Sequence, residues 1–256
     1  MITKDSLLLG IAIGAVILAS GLIVVGQEDS PFNLKTIPDS KISIAPEQAI
    51  PAKEMTCADI NKTDKPQFEA YVVSQCPFGL QMQRSLAEIV KSDTALSNQI
   101  KVRYIGTISN GQLSSMHGAV EAQENLRQIC IREEENNKYW DYISCHIKKG
   151  DVDSCLSLVR ISKNEVDACM KDPSRGIKYA QEDADLAAKY KIVGSPTLII
   201  NGQEVSEYNF GGRNPNAVKD VLCCGFNDMP TACSVQLNKT DPATAYSETY
   251  LKAPKK

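Results

Sequence analysis

Tyr71-Val72-Val73-Ser74-Gln75-Cys76-Pro77-Phe78-Gly79 is the stretch on which the reading of this chain turns. An apolar, β-rich run ends in a cysteine, and a proline follows it directly. Proline suits the first position of a helix, where its missing N–H would have had no partner. The pattern therefore predicts a strand feeding a helix that begins at Cys76. Unpaired backbone N–H groups and the positive end of the helix dipole can then stabilise a Cys76 thiolate. The bland alternative is a cysteine acting as a small buried hydrophobe.

About 120 residues further on, Val193-Gly194-Ser195-Pro196-Thr197-Leu198-Ile199-Ile200-Asn201-Gly202 reads as a loop, a proline, a strand and a tight Asn-Gly turn. Between the two motifs the pattern changes character. Gln67 to Ser74 reads as a strand, Leu80 to Lys91 as an amphipathic helix, and Gln99 to Ile105 as a second strand, with Ile100, Val102 and Tyr104 alternating. From His117 to Tyr190 the period is helical: one helix through Ile129, one over Tyr139–Ile147, short ones near Val152 and Val166, and one over Ile177–Tyr190. A short strand near Gln203–Ser206 and a helix from about Pro215 to Leu222 close the plan. The expected class is α/β, with a βαβ unit and a helical insertion at about 115–190.

The N-terminus bears on compartment. Leu7–Val25 is a run of nineteen residues without a charge, long enough at about 1.5 Å per residue to cross a hydrocarbon core of roughly 30 Å. Ala19-Ser20-Gly21 offers the small residues of a cleavage site, but the apolar run continues through Val25, which favours an uncleaved anchor over a secretory signal. Lys4 before the span and Glu28 and Asp29 after it place the body of the chain outside the cytoplasm. Residues 1–26 are thus expected to be a membrane anchor, 27–56 a flexible linker punctuated by Pro31, Pro38, Pro46 and Pro51, 57–237 the main domain and 238–256 a polar tail.

Nine cysteines support an oxidising compartment. An odd number leaves one without an intramolecular partner, and Cys76 is the natural candidate. Cys57, Cys130, Cys145, Cys155, Cys169, Cys223, Cys224 and Cys233 then form a structural framework. Short spacing suggests Cys145 with Cys155 and Cys224 with Cys233. A net charge of −3 without a basic run argues against nucleic acid as a partner. Two histidines and no paired CxxC motifs leave no metal site in view, and no cofactor is expected. Asn61-Lys62-Thr63 and Asn238-Lys239-Thr240 carry the glycosylation sequon, for which chance is the safer reading.

Taken together, these motifs resemble the thioredoxin-like families typified by the bacterial disulfide oxidoreductase DsbA and the gamma-interferon-inducible lysosomal thiol reductase. Cys76-Pro77-Phe78-Gly79 stands where those proteins carry Cys-Pro-x-Cys or a variant, and Ser195-Pro196-Thr197 stands at their cis-proline loop. Met116-His117-Gly118-Ala119-Val120-Glu121-Ala122, followed by the spaced Cys130, Cys145, Cys155 and Cys169, is similar to the lysosomal reductase signature without its flanking cysteines. The resemblance implies a thioredoxin-like fold split by the insertion. It also implies a site built from Cys76, Pro77, Ser195 and Pro196, with Phe78, Gly79 and His117 as accessory candidates. His117 itself reads either as a proton shuttle near the site or, as is commoner for a His-Gly at a helix N-terminus, as a structural residue. Gly79 replaces the second cysteine, so the chemistry implied is that of one thiol. Cys76 attacks the disulfide of a cysteine-containing protein substrate, and a small thiol, a redox partner protein or a second substrate thiol resolves the adduct. A cysteine placed at position 79 is expected to lie one turn along the same helix face, within disulfide reach of Cys76. The competing reading is a non-catalytic binding or chaperone-like module that kept the fold and lost turnover.

Overall fold

The computed structural model describes residues 54–250. The expected anchor Leu7–Val25 and nearly all of the linker lie outside those residues. Among the described residues no helix is long and apolar enough to cross a membrane.

Strand β1, Phe68–Val72, is buried at every position, as befits a strand covered on both faces. It pairs in parallel with β2, Ile100–Tyr104, through the crossover helix α1, Pro77–Ser92, and the short α2, Thr94–Ser97. β1 pairs on its other side with β5, Thr197–Ile200, antiparallel, and β5 continues into β6, Gln203–Val205. The sheet order β2-β1-β5-β6 is the thioredoxin plan. The β5–β6 turn is Asn201-Gly202, both at positive φ, as a two-residue hairpin loop requires. Helix α8, Pro215–Cys224, opens with proline at its first position and is capped by Asn214, whose Oδ1 accepts the Ala217 N–H at 2.9 Å. Leu80, Leu86, Ile89 and Val90 of α1 recur at helical spacing and are buried, in one core with Phe68, Val72, Val218 and Leu222.

The insertion holds five helices: α3 (Ala119–Glu134), α4 (Asn136–Lys149), α5 (Val152–Leu158), α6 (Lys163–Lys171) and α7 (Lys178–Lys189). It begins earlier than the sequence pattern suggests, with a small hairpin, β3 (Thr107–Ser109) and β4 (Gln112–Ser114), too short and too exposed to leave a period of two. Asp183 of α7, fully buried, fixes the insertion to the open edge of the sheet. Its carboxylate accepts the Tyr104 N–H at 3.0 Å and receives Arg103 at 2.9 Å and Arg132 at 2.8 Å. Arg132 also donates to the Val102 carbonyl, so side chains satisfy backbone groups that an edge strand would otherwise expose.

Four disulfides leave Cys76 as the free cysteine: Cys57–Cys224, Cys130–Cys169, Cys145–Cys155 and Cys223–Cys233. The expected Cys224–Cys233 pair is corrected. Adjacent residues on a helix point about 100° apart, so Cys223 faces the turn Thr231–Ser234 while Cys224 faces Cys57. The polar tail packs on the domain as far as residue 250. Gln81 Nε2 donates to the Pro242 carbonyl at 2.8 Å, and Arg84 donates to the carbonyls of Ile147, Ala245 and Ser247. Tyr246 sets its ring edge-on to buried His146, with centroids 5.3 Å apart.

Two measurements check this packing. Peptide mapping of the unreduced protein is expected to give a Cys223–Cys233 linkage, and removing the Cys57–Cys224 bridge to cost about 2–5 kcal/mol. Burial, opposed by Glu124 and assisted by Arg127, makes His146 harder to protonate than in the unfolded chain. The unfolded state therefore takes up more protons as the pH falls through the imidazole range, and stability rises with pH there. The urea midpoint should drop between pH 7.5 and 5.5, and His146→Gln should flatten that slope.

Candidate active site

The site lies where β1 ends and α1 begins. Cys76 occupies the N-cap of α1 with extended backbone (φ −63°, ψ 130°), and Pro77 takes the first helical position. Its carbonyl accepts the Leu80 N–H at 2.8 Å, closing the first turn, and its thiol faces the Ser195 carbonyl at 3.7 Å. The Ser195–Pro196 peptide bond is cis. Two motifs 120 residues apart in sequence thus meet in one place. The Ser195 Oγ also accepts the Val73 N–H at 3.0 Å, locking the proline loop to the end of β1.

Gly79 has a reason of its own to be glycine. A Cβ built on it would stand 2.4 Å from the Val73 carbonyl and 2.9 Å from Ser195 Oγ. The expectation that a cysteine at 79 would simply supply a resolving thiol is therefore corrected. Position 79 does lie one turn along from Cys76, but the space its side chain needs is held by backbone.

Phe78 is 52 % exposed, with the Arg213 guanidinium 5.2 Å from its ring centroid. Arg213 is buried, pairs with Glu207 at 2.7 Å and also lies over the exposed Tyr208. A groove of about 630 Å³ ends at Val193, just before the proline loop, and is lined by Ile105, Met116 and Ile192 together with Gln181, Asp185 and Lys191.

Behind it is a polar cluster that sequence reading missed. The Ser74 N–H donates to Asn125 Oδ1 at 2.8 Å, and the Gln75 N–H to Glu121 Oε2 at 3.3 Å. Glu121 is wholly buried and also accepts from Ser115 Oγ at 2.7 Å and from the His117 backbone at 3.1 Å. His117 Nδ1 lies 2.7 Å from Glu121 Oε2. Burial alone would push the Glu121 carboxyl up, but the hydrogen bonds from Ser115 and His117 outweigh it and hold it below the usual range. The available signal was a polar helical period. Glu121, Glu124, Asn125, Gln128 and Arg132 recur at helix spacing along α3, a stripe ordinarily read as solvent-facing, and all five are buried.

Comparison with known proteins finds a family that part of the chain resembles. Residues 67–173 match the family model of the gamma interferon inducible lysosomal thiol reductase. The match to this thiol reductase family begins at β1 and ends at the turn after α6, so it spans Cys76, the Glu121–His117 cluster and the first four helices of the insertion, α3, α4, α5 and α6. The chain resembles that family on a thioredoxin-like fold. Among solved structures, reduced DsbA from Mycobacterium tuberculosis aligns at 16% identity over 72% of this chain and 95% of its own, with a TM-score of 0.46. BdbD from Bacillus subtilis aligns at 13% identity, covering 64% and 89%, and the disulfide oxidoreductase DsbG from Mycobacterium tuberculosis at 16%, covering 68% and 88%; both score 0.46. No curated protein matches the chain in sequence.

Gly79→Ala measures the close approach directly. Helix propensity alone would favour alanine by about 1 kcal/mol, whereas forcing a methyl against the Val73 carbonyl costs about 1–3 kcal/mol. The variant is expected to lower the urea midpoint. A gain in stability would mean that the carbonyl yields freely.

Proposed function

We propose that this protein is a thiol-disulfide oxidoreductase that works through Cys76 alone, by mixed-disulfide reduction or isomerisation. The observation that carries this reading is the free Cys76 thiol at the N-cap of α1, facing the carbonyl before a cis proline. The Cys76 thiolate attacks a disulfide of a protein substrate; the S–S bond breaks, one substrate sulfur leaves as thiolate, and the other is held on Cys76. Pro77 opens the helix, while Ser195 and Pro196 form the wall against which the attacked segment lies. The exposed Phe78 and Tyr208 give that segment apolar ground. Since Gly79 cannot be replaced by a resolving thiol without moving backbone, the adduct is released by an external thiol, by a partner protein or by a second thiol of the substrate.

The proposal extends to place. Four disulfides support an oxidising compartment. The apolar run Leu7–Val25 supports a single membrane anchor with the cysteine-rich body on the outer side. A reporter fused to either end, with protease added from each side of the membrane, tests that orientation.

Trapping tests the chemistry. Incubated with a disulfide-containing protein and run without reductant, wild type is expected to give a long-lived adduct that Cys76→Ser abolishes, while Pro196→Thr changes how long it persists. If Cys76→Ser traps as well as wild type, the domain is a binding module and not a redox enzyme.

A further inference from the structure

The Glu121–His117 pair is more elaborate than holding a loop requires. Gln75 N and His117 Nδ1 share one oxygen of the Glu121 carboxylate, which puts the imidazole within two hydrogen-bond lengths of the amide next to Cys76. The carboxylate is sealed from water, yet the ring it orients is 51 % exposed. With Nδ1 turned to an ionised carboxylate, that nitrogen carries the proton and Nε2 presents its lone pair outward. This is the arrangement of a base oriented by a third group. Another titratable group facing the pair is Tyr246 of the C-terminal segment, whose phenol feels the Glu121 charge and is pushed up to about 12, chiefly by burial. Glu124 lies one turn on along α3 and is engaged by Arg127, Gln128 and Tyr142.

Resting on the single-thiol reading above, we infer that His117 is the general base for the incoming thiol that releases Cys76, and that Glu121 is the residue positioning it. A site without its own resolving cysteine depends on an external thiol, and a small thiol near neutral pH is mostly protonated and unreactive. His117 Nε2 takes the proton of R′–SH. The resulting R′–S⁻ attacks the outer sulfur of the Cys76–S–S–R adduct. A new R′–S–S–R bond forms, the Cys76–S bond to the adduct breaks, and Cys76 leaves as thiolate. The imidazolium, stabilised by Glu121, then gives its proton to solvent or to Cys76. One disulfide is exchanged for another, with no external oxidant.

The test needs no natural substrate. The native protein is treated with oxidised glutathione to place glutathione on Cys76, and loss of the adduct to 2-mercaptoethanol is followed by intact mass from pH 5 to 9. Wild type is expected to show an inflection within the range where imidazoles titrate, about pH 5–8. His117→Gln, at an exposed position that tolerates the change, should slow release about tenfold or more at pH 6.5. It should approach wild type at pH 9, where the thiol ionises unaided. Glu121→Gln, which retains an acceptor for the Gln75 amide, should also lose rate chiefly at the lower pH. A structural role would slow release by one factor at every pH, and either that result or identical profiles overturns the inference. The single-thiol reading itself fails separately, in the trapping experiment.

Discussion

One face of helix α3 is polar and sealed from water, and the arrangement of the domain follows from the need to satisfy it. Left unpaired, each of these groups would cost more than the fold can spare. Glu121 therefore holds the Cys76 loop, and Glu124 engages Tyr142 and His146 of α4. Gln128 joins Gln83 of α1 to Tyr104 of β2, and Arg132 ties Asp183 of α7 to the sheet edge. A purely apolar face would tolerate sliding between neighbours. Directional partners on α1, β2, α4 and α7 admit one docking of the insertion on the sheet.

That constraint explains how a short active-site loop is held without a second cysteine. Residues 73 to 75 give their N–H groups to Ser195, Asn125 and Glu121 in turn, three side chains from two distant segments. The loop is thus fixed from behind, by the insertion and the proline loop, and Gly79 allows the backbone of β1 to come in close enough for it. Position 79 is then a packing requirement, since any side chain there would have to displace the Val73 carbonyl.

The fold was legible in the sequence because its decisive signals are local. Cys76-Pro77 marks a strand-to-helix boundary, and Asn201-Gly202 marks a hairpin, whatever lies elsewhere in the chain. The meeting of Cys76 with Ser195 followed from the resemblance and not from any pattern, since no period links residues 120 apart. The support behind the thiol was hidden for the opposite reason. Glu121 and Asn125 look like solvent-facing residues of an ordinary helix, and only the neighbours that cover them reveal otherwise. Cys223 and Cys224 show the same limit, because spacing fits either partner for Cys233 and only helix rotation decides between them. The docking of the polar tail left no trace in the sequence because its contacts run through backbone carbonyls, which every sequence possesses.

The bond between Cys57 and Cys224 spans 167 residues of sequence and encloses the sheet, the insertion and the thiol in one covalent ring. Tension applied through the N-terminal segment enters at Cys57, crosses to the end of α8 and leaves along the C-terminal segment. β1 and the Cys76 loop stand outside that load path. The two ends of the described domain are thus joined by a link that bypasses the reactive strand, for as long as that one bond remains oxidised.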